Sequence, residues 1–246
     1  MEFKVNHWQL KLIYTFEQYK VLGDMIHNKT AMASFLDSVS KSSKDYNLSL
    51  GNDWNDDLIP NIEQSFHFDV KRAFSHYSSM MIVSVATIVE AMVAEFFTAL
   101  FAHKPNSMHR YLTPGESGEK LGRVSLGDIL KHTDIDSLKL ELAKKSAKNA
   151  SNGNFSTVIA RVKELTKIEY DSKVVKDIEQ LMSTRHTVVH EAASIDVKLD
   201  ELEAHFDNAE LLLKYLGKCC VQNGIAYEDQ AFLITEYPAF EAEYYA

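Results

Sequence analysis

Apolar residues recur along most of this chain at helical rather than alternating spacings. In residues 8–25, Trp8, Leu12, Tyr19, Leu22 and Met25 fall at the intervals of three and four that line one side of a helix. Thr30 is a candidate cap for a second helix carrying Met32, Phe35, Leu36 and Val39. Residues 40–57 are rich in Ser, Asn and Asp, which predicts a loop that closes off an N-terminal helical appendage over residues 1–50. Pro60 suits the first turn of a long helix ending near His103. Its second half, residues 80–101, is apolar nearly all round, as expected of the central helix of a bundle.

Residues 103–125 contain Pro105, Pro114, Gly115, Gly118 and Gly122 and predict an irregular excursion. Ser125 with Asp128 predicts the cap of a short helix containing Ile129 and Leu130. Further helices are predicted over 135–150, ending at Ser151-Asn152-Gly153-Asn154, and over 156–168 and 172–193, the latter two joined by a kink near Tyr170. A last helix over 199–221 stops at Asn223-Gly224. The tail, residues 225–246, carries Phe232, Tyr237, Phe240, Tyr244 and Tyr245 and is expected to pack on the body or on a second subunit. No strand pattern competes. The expected fold is all-α, with a helical bundle over residues 58–224.

Composition narrows this picture only slightly. Four prolines and nine glycines in 246 residues are too few for the many tight turns of an all-β chain. Residues 1–8 lack a basic stretch followed by an apolar core, so no secretory signal is visible. Glu90 and Glu95 interrupt the apolar run of 80–101 and leave flanks too short to span a bilayer, so a buried helix and no membrane partner are expected. Cys219 and Cys220 are adjacent, which rules out a disulfide framework or a Cys-x-x-Cys site and suits a reducing cytoplasm.

The net charge of −9 looks unfavourable for binding nucleic acid, but the charge is segregated. Residues 139–176 hold nine Lys/Arg against four Asp/Glu, whereas residues 196–246 hold eleven acids against three bases. A local basic surface is therefore compatible with an acidic total. Lys144, Lys145, Lys148, Arg161 and Lys163 are candidates for holding an RNA backbone, and solvated helix faces account for them equally well.

The stretch that carries chemistry is Ser183-Thr184-Arg185-His186-Thr187-Val188-Val189-His190-Glu191. RNA is cut without a metal when its own 2′-OH attacks the adjacent phosphorus. That reaction needs a group to move protons and a cation to stabilise the phosphoryl oxygens. Histidine suits the first role because it ordinarily titrates near neutrality. Arginine suits the second through its permanent charge and its two parallel donors. A spacing of five in one straight helix does not bring Arg185 and His190 to the same face. They converge only if the helix distorts or if two copies meet across a dimer axis. His186 and His190, one turn apart, form half a metal site with no third ligand nearby except Glu191, so no metal and no cofactor are expected. Glu90, in its apolar helix, is expected to be a buried carboxylate that orients Arg185 or a histidine, the alternative being a solvent-facing residue near Glu95 with no catalytic part.

This stretch resembles the HEPN superfamily, whose hallmark is Arg, four to six residues, then His, with a polar residue directly after the Arg. Arg185 to His190 fits with four intervening residues and His186 in the polar slot. The apolar helix with its embedded Glu90 resembles the acidic helix that such domains pair with the motif helix. The resemblance covers roughly residues 60–224. It implies a homodimer with both motifs facing one cleft. It also implies metal-independent cleavage of RNA to a 2′,3′-cyclic phosphate, in the manner of toxins and antiviral defence effectors, with an antitoxin as a candidate partner. Asn is the more familiar occupant of the His186 slot. Ala192 stands where one variant has a Tyr two positions after the His, which argues against the toxin subgroup silenced by an adenylylating partner. The alternative is a non-catalytic module binding RNA, a nucleotide or a protein, with Arg185 and His190 buried in separate salt bridges.

Overall fold

The computed structural model describes residues 1–55, 59–112, 127, 129, 131, 132, 134–191, 195 and 197–230. The chain folds as an all-α bundle. A short strand β1 (Phe3–Lys4) leads into α1 (Val5–His27), α2 (Lys29–Ser49) and α3 (Ile59–His103). A 3₁₀ segment (Pro105–Arg110) precedes α4 (Ile135–Ala150), α5 (Phe155–Thr166), α6 (Ser172–His190), α7 (Leu199–Asn223) and β2 (Tyr227–Glu228).

The axis of the fold is α3, with 45 residues and therefore a length of roughly 67 Å. By length and composition it could cross a membrane, but 56% of its most apolar window is buried by the protein itself. Val85, Val89, Met92, Phe96, Phe97 and Leu100 are sealed against α1, α4, α6 and α7. Both acids in this stretch have partners on other elements. Glu95 Oε1 accepts from the backbone N–H of Lys4 at 2.9 Å, and Glu90 meets Arg185. Phe3, Val5, Trp8, Leu12 and Tyr19 belong to the same buried cluster, so α1 is part of the bundle's core. The parallel pairing of β1 with β2 ties the two ends of the described chain together.

Three expectations are corrected. Residues 40–49 are helical, not a loop: α2 continues to Ser49. The inward positions continue from Met32, Leu36 and Val39 through Ser43 and Asn47, so the helical period persists after the residues filling it turn polar. Asn28, rather than Thr30, caps this helix, accepting from the N–H groups of Thr30 and Ala31 at 3.1 Å each. The kink near Tyr170 is a full break. Lys167, with φ 65°, ends α5 in the left-handed region, and Asp171 caps α6 by accepting from Lys173 N at 2.7 Å. The helix containing Ile129 and the aromatic tail from Phe232 onward lie outside the described residues, apart from positions 127 and 129.

On α7, His205 is 7% exposed, and its burial pushes its pKa below the usual histidine value, against the opposing pull of Glu201 and Asp177. The folded chain therefore holds this ring neutral at a pH where the unfolded chain begins to protonate it. Stability should fall as the pH drops below about 6.5, because the unfolded state there binds the extra proton. Urea unfolding at pH 7.5 and 5.5 should show this loss in the parent chain and a smaller one in His205→Leu. An equal loss in both would assign the acid sensitivity to other groups.

Candidate functional site

An open cleft of 810 Å³ lies between α3, α6 and the α4–α5 turn. Its floor is one face of α3, where Thr87, Glu90, Ala91 and Ala94 recur at helical intervals. The two alanines keep the floor shallow. Its near wall is α6, which presents Glu179, Met182, Ser183, Arg185 and His186. Its far wall is the turn Ser151-Asn152-Gly153-Asn154 and the start of α5.

The turn is built by local chemistry. Gly153 has φ 114°, which a side chain would strain, and Asn154 Oδ1 accepts from Thr157 N at 3.0 Å to start α5. Arg161 reaches back from α5 to the carbonyls of Ala150 (2.7 Å) and Asn152. It is a brace for the turn, and its guanidinium is committed to backbone oxygens. Lys163 is also engaged, 2.6 Å from Glu169. Lys144, Lys145 and Lys148 are exposed and pair with nothing among the described residues. Of these, Lys144 and Lys148 share a face of α4 with Ser151 at the cleft mouth, because intervals of four and three keep them in register. Lys145 points elsewhere.

Arg185 Nη1 lies 3.4 Å from Glu90 Oε1, a single long contact between side chains that are 33% and 50% exposed. The expected pairing of Glu90 with Arg185 is present, but Glu90 is exposed at the cleft floor and not buried. The outward face of α3 is formed by Thr87, Glu90 and Ala94, so the apolar run around it overstates how deep it sits. Arg185 Nε is buried with no hydrogen-bond partner among the described residues. The side chain is one-third exposed and lines the cleft, so its Nη groups are held by the long Glu90 contact alone among the described residues and are otherwise open to solvent.

His186 lines the cleft beside Arg185, whereas His190, at the last turn of α6, does not. The two imidazole rings pack together with centroids 4.3 Å apart. About 140° of helical rotation separates Arg185 from His190, and α6 is helical throughout, so one chain does not bring them to a common face. Of the separate salt bridges that a purely structural role would predict, Arg185 makes one, the long contact to Glu90, and His190 makes none among the described residues. Among the described residues no three His, Cys, Asp or Glu side chains converge as metal ligands. The thiols offer no nucleophile, since burial pushes Cys219 up to about 11 and Cys220 higher still.

Glu179 belongs to the site but to no pattern in the sequence. Its Oε1 accepts from Ser156 N at 3.0 Å, across 23 residues, so α6 caps the first turn of α5 from the side. No short motif signals a bond of that span. The class that fold and cleft define is an all-helical bundle with an arginine–histidine groove. Compared with known proteins, the chain matches no family model, no curated protein and no solved structure.

Proposed function

We propose that this chain is a metal-independent endoribonuclease of the HEPN type, acting as a cytoplasmic homodimer. The observation that carries the reading is Arg185, whose guanidinium lines a cleft shared with His186 and is engaged only by a long contact to Glu90 among the described residues. An oxyanion is the natural complement of such a group, and the non-bridging oxygens of a phosphodiester take both prongs of a guanidinium. In the reaction, a neutral imidazole takes the proton of the ribose 2′-OH, the 2′-oxygen bonds to phosphorus, and the bond to the 5′-oxygen breaks. A protonated imidazole supplies the leaving oxygen's proton, and the product ends in a 2′,3′-cyclic phosphate. His186 serves one of these roles within the chain. His190, turned about 140° away, meets an Arg185 most simply when that arginine belongs to a second copy. Glu90 orients the guanidinium. A toxin or antiviral effector, held in check by an antitoxin, is the biological setting proposed for this chemistry.

The test is incubation of the purified protein with single-stranded RNA in excess chelator, with analysis of the product ends. Cyclic phosphate termini are expected, and intact RNA under all conditions would end the nuclease reading. Binding without cleavage would assign the cleft to a non-catalytic RNA module. Mixing Arg185→Ala with His190→Ala chains checks the dimer, since one hybrid site of two regains both groups and activity should partly return. The backbone track is tested by salt. Replacing Lys144 and Lys148 with Gln should reduce the slope of log binding against log salt by about 1.4, at about 0.7 per single-strand phosphate lost. Lys163→Gln, already paired with Glu169, should leave the slope unchanged.

A further inference from the structure

The cleft does not have the charge of a simple phosphate cradle. Two carboxylates, Glu90 and Glu179, face it against one guanidinium. Glu90 is spoken for by Arg185. Glu179 is half-buried, meets no cation among the described residues, and uses part of one oxygen on Ser156 N at 3.0 Å. An ionised carboxylate accepts about four hydrogen bonds, so Glu179 retains most of its capacity, with Ser156 N its one hydrogen-bond donor among the described residues. A second phosphate would be repelled there. A ligand bearing hydrogen-bond donors would be held.

We infer that Glu179 reads a guanine base splayed into this cleft, with the same nucleotide's phosphate at Arg185. This assignment rests on the RNA reading above and deepens it. Bases of single-stranded RNA are recognised on their exposed edges after unstacking. Guanine presents two adjacent donors on that edge, N1–H and the N2 amino group, matched to the two oxygens of a carboxylate. Adenine and cytosine present one amino donor beside an acceptor nitrogen, and uracil presents one N–H between two acceptor carbonyls. The Ser156 N–H fixes the carboxylate before the base arrives, which reduces the ordering left to binding. Glu179 and Arg185 stand six positions apart on α6, a rise of about 9 Å with about 120° of rotation, and both line the cleft; that rise is comparable to the reach of one nucleotide from base edge to phosphate. The exposed His186 ring, beside Arg185, offers a face for the base or its neighbour to stack on.

The experiment uses four labelled RNAs, 5′-UUGUU and its counterparts with A, C or U at the centre. Fluorescence anisotropy measures binding, and product analysis in chelator measures cleavage. The guanine-centred RNA should bind roughly tenfold tighter or more, the usual value of a bidentate base contact. Glu179→Gln should level the four, while its amide oxygen still accepts from Ser156 N and keeps α5 capped, as circular dichroism and thermal unfolding would verify. Equal binding of all four by the parent chain, binding of none, or a guanine preference that survives in Glu179→Gln overturns the assignment. Cleavage without base preference removes the guanine site and leaves the nuclease. Guanine preference without cleavage removes the nuclease and leaves the site.

Discussion

Replacing Phe97 with alanine should cost about 3–5 kcal/mol of folding stability, the largest effect expected from a single truncation of this core. Phe97 is fully buried in the C-terminal part of α3, stacked on Phe101 with ring centroids 5.8 Å apart and set edge-on to Phe96 at 6.0 Å. Removing the ring loses its burial and leaves a void that its packed neighbours cannot close without moving α3 itself, which carries α1, α4, α6 and α7. Against a total stability of about 5–15 kcal/mol, the loss is severe but survivable. For a chain of this size the melting midpoint should drop by roughly 6–20 °C. Phe68→Ala, on the same helix but 65% exposed, should change stability by no more than about 0.5 kcal/mol. A loss below about 1 kcal/mol at Phe97 would mean that the core relaxes around α3 and that the helix is not the rigid axis described.

The helices were largely legible because burial imposes a period. Where one face must be sealed, as at Trp8, Leu12 and Tyr19, the apolar spacing states the element. Legibility failed where that constraint was absent. Only Leu36 of α2 is buried, so little of its inner face has to be apolar, and Ser43 and Asn47 hold inward positions that apolar residues would otherwise mark. The break between α5 and α6 was read as a kink because Lys167 is an unusual occupant of a left-handed position, normally signalled by Gly or Asn.

The candidate site divides in the same way. Arg185 and His186 are adjacent in sequence, and their sharing a cleft follows from one helix. Glu90 reaches them from 95 residues away, and its pairing was anticipated from charge in an apolar helix, although the exposure of that side chain was not. Helical periodicity shows which residues share a face; it does not show which faces remain uncovered when helices of unequal length pack. Arg161 illustrates the reverse error, a basic residue counted as a ligand contact that the fold spends on two carbonyls. Glu179 was invisible because its significance depends on where Ser156 lies in space.

Replacing Arg185 with alanine should lower RNA cleavage by roughly 10²–10³-fold while leaving the fold intact, and the two halves of that statement support each other. The stability half follows from geometry. The only ion pair lost among the described residues is the 3.4 Å contact to Glu90, between partly exposed side chains, and such pairs contribute about 0–1 kcal/mol. The activity half follows from chemistry, since one preorganised donor to a developing oxyanion typically contributes that factor. Arg185→Lys keeps the charge and loses the two-pronged geometry, so it should fall between the parent chain and the alanine variant. His186→Ala and His190→Ala should each reduce the rate by about 10²–10⁴-fold if both imidazoles move protons. If His186→Ala alone abolishes cleavage, the reaction is complete within one cleft and the second copy is dispensable. If His190→Ala alone does so, the ring lying outside the cleft acts across the dimer. Equal cleavage by the parent chain and Arg185→Ala, with both folded, would make the guanidinium a structural group and leave this cleft without a nuclease.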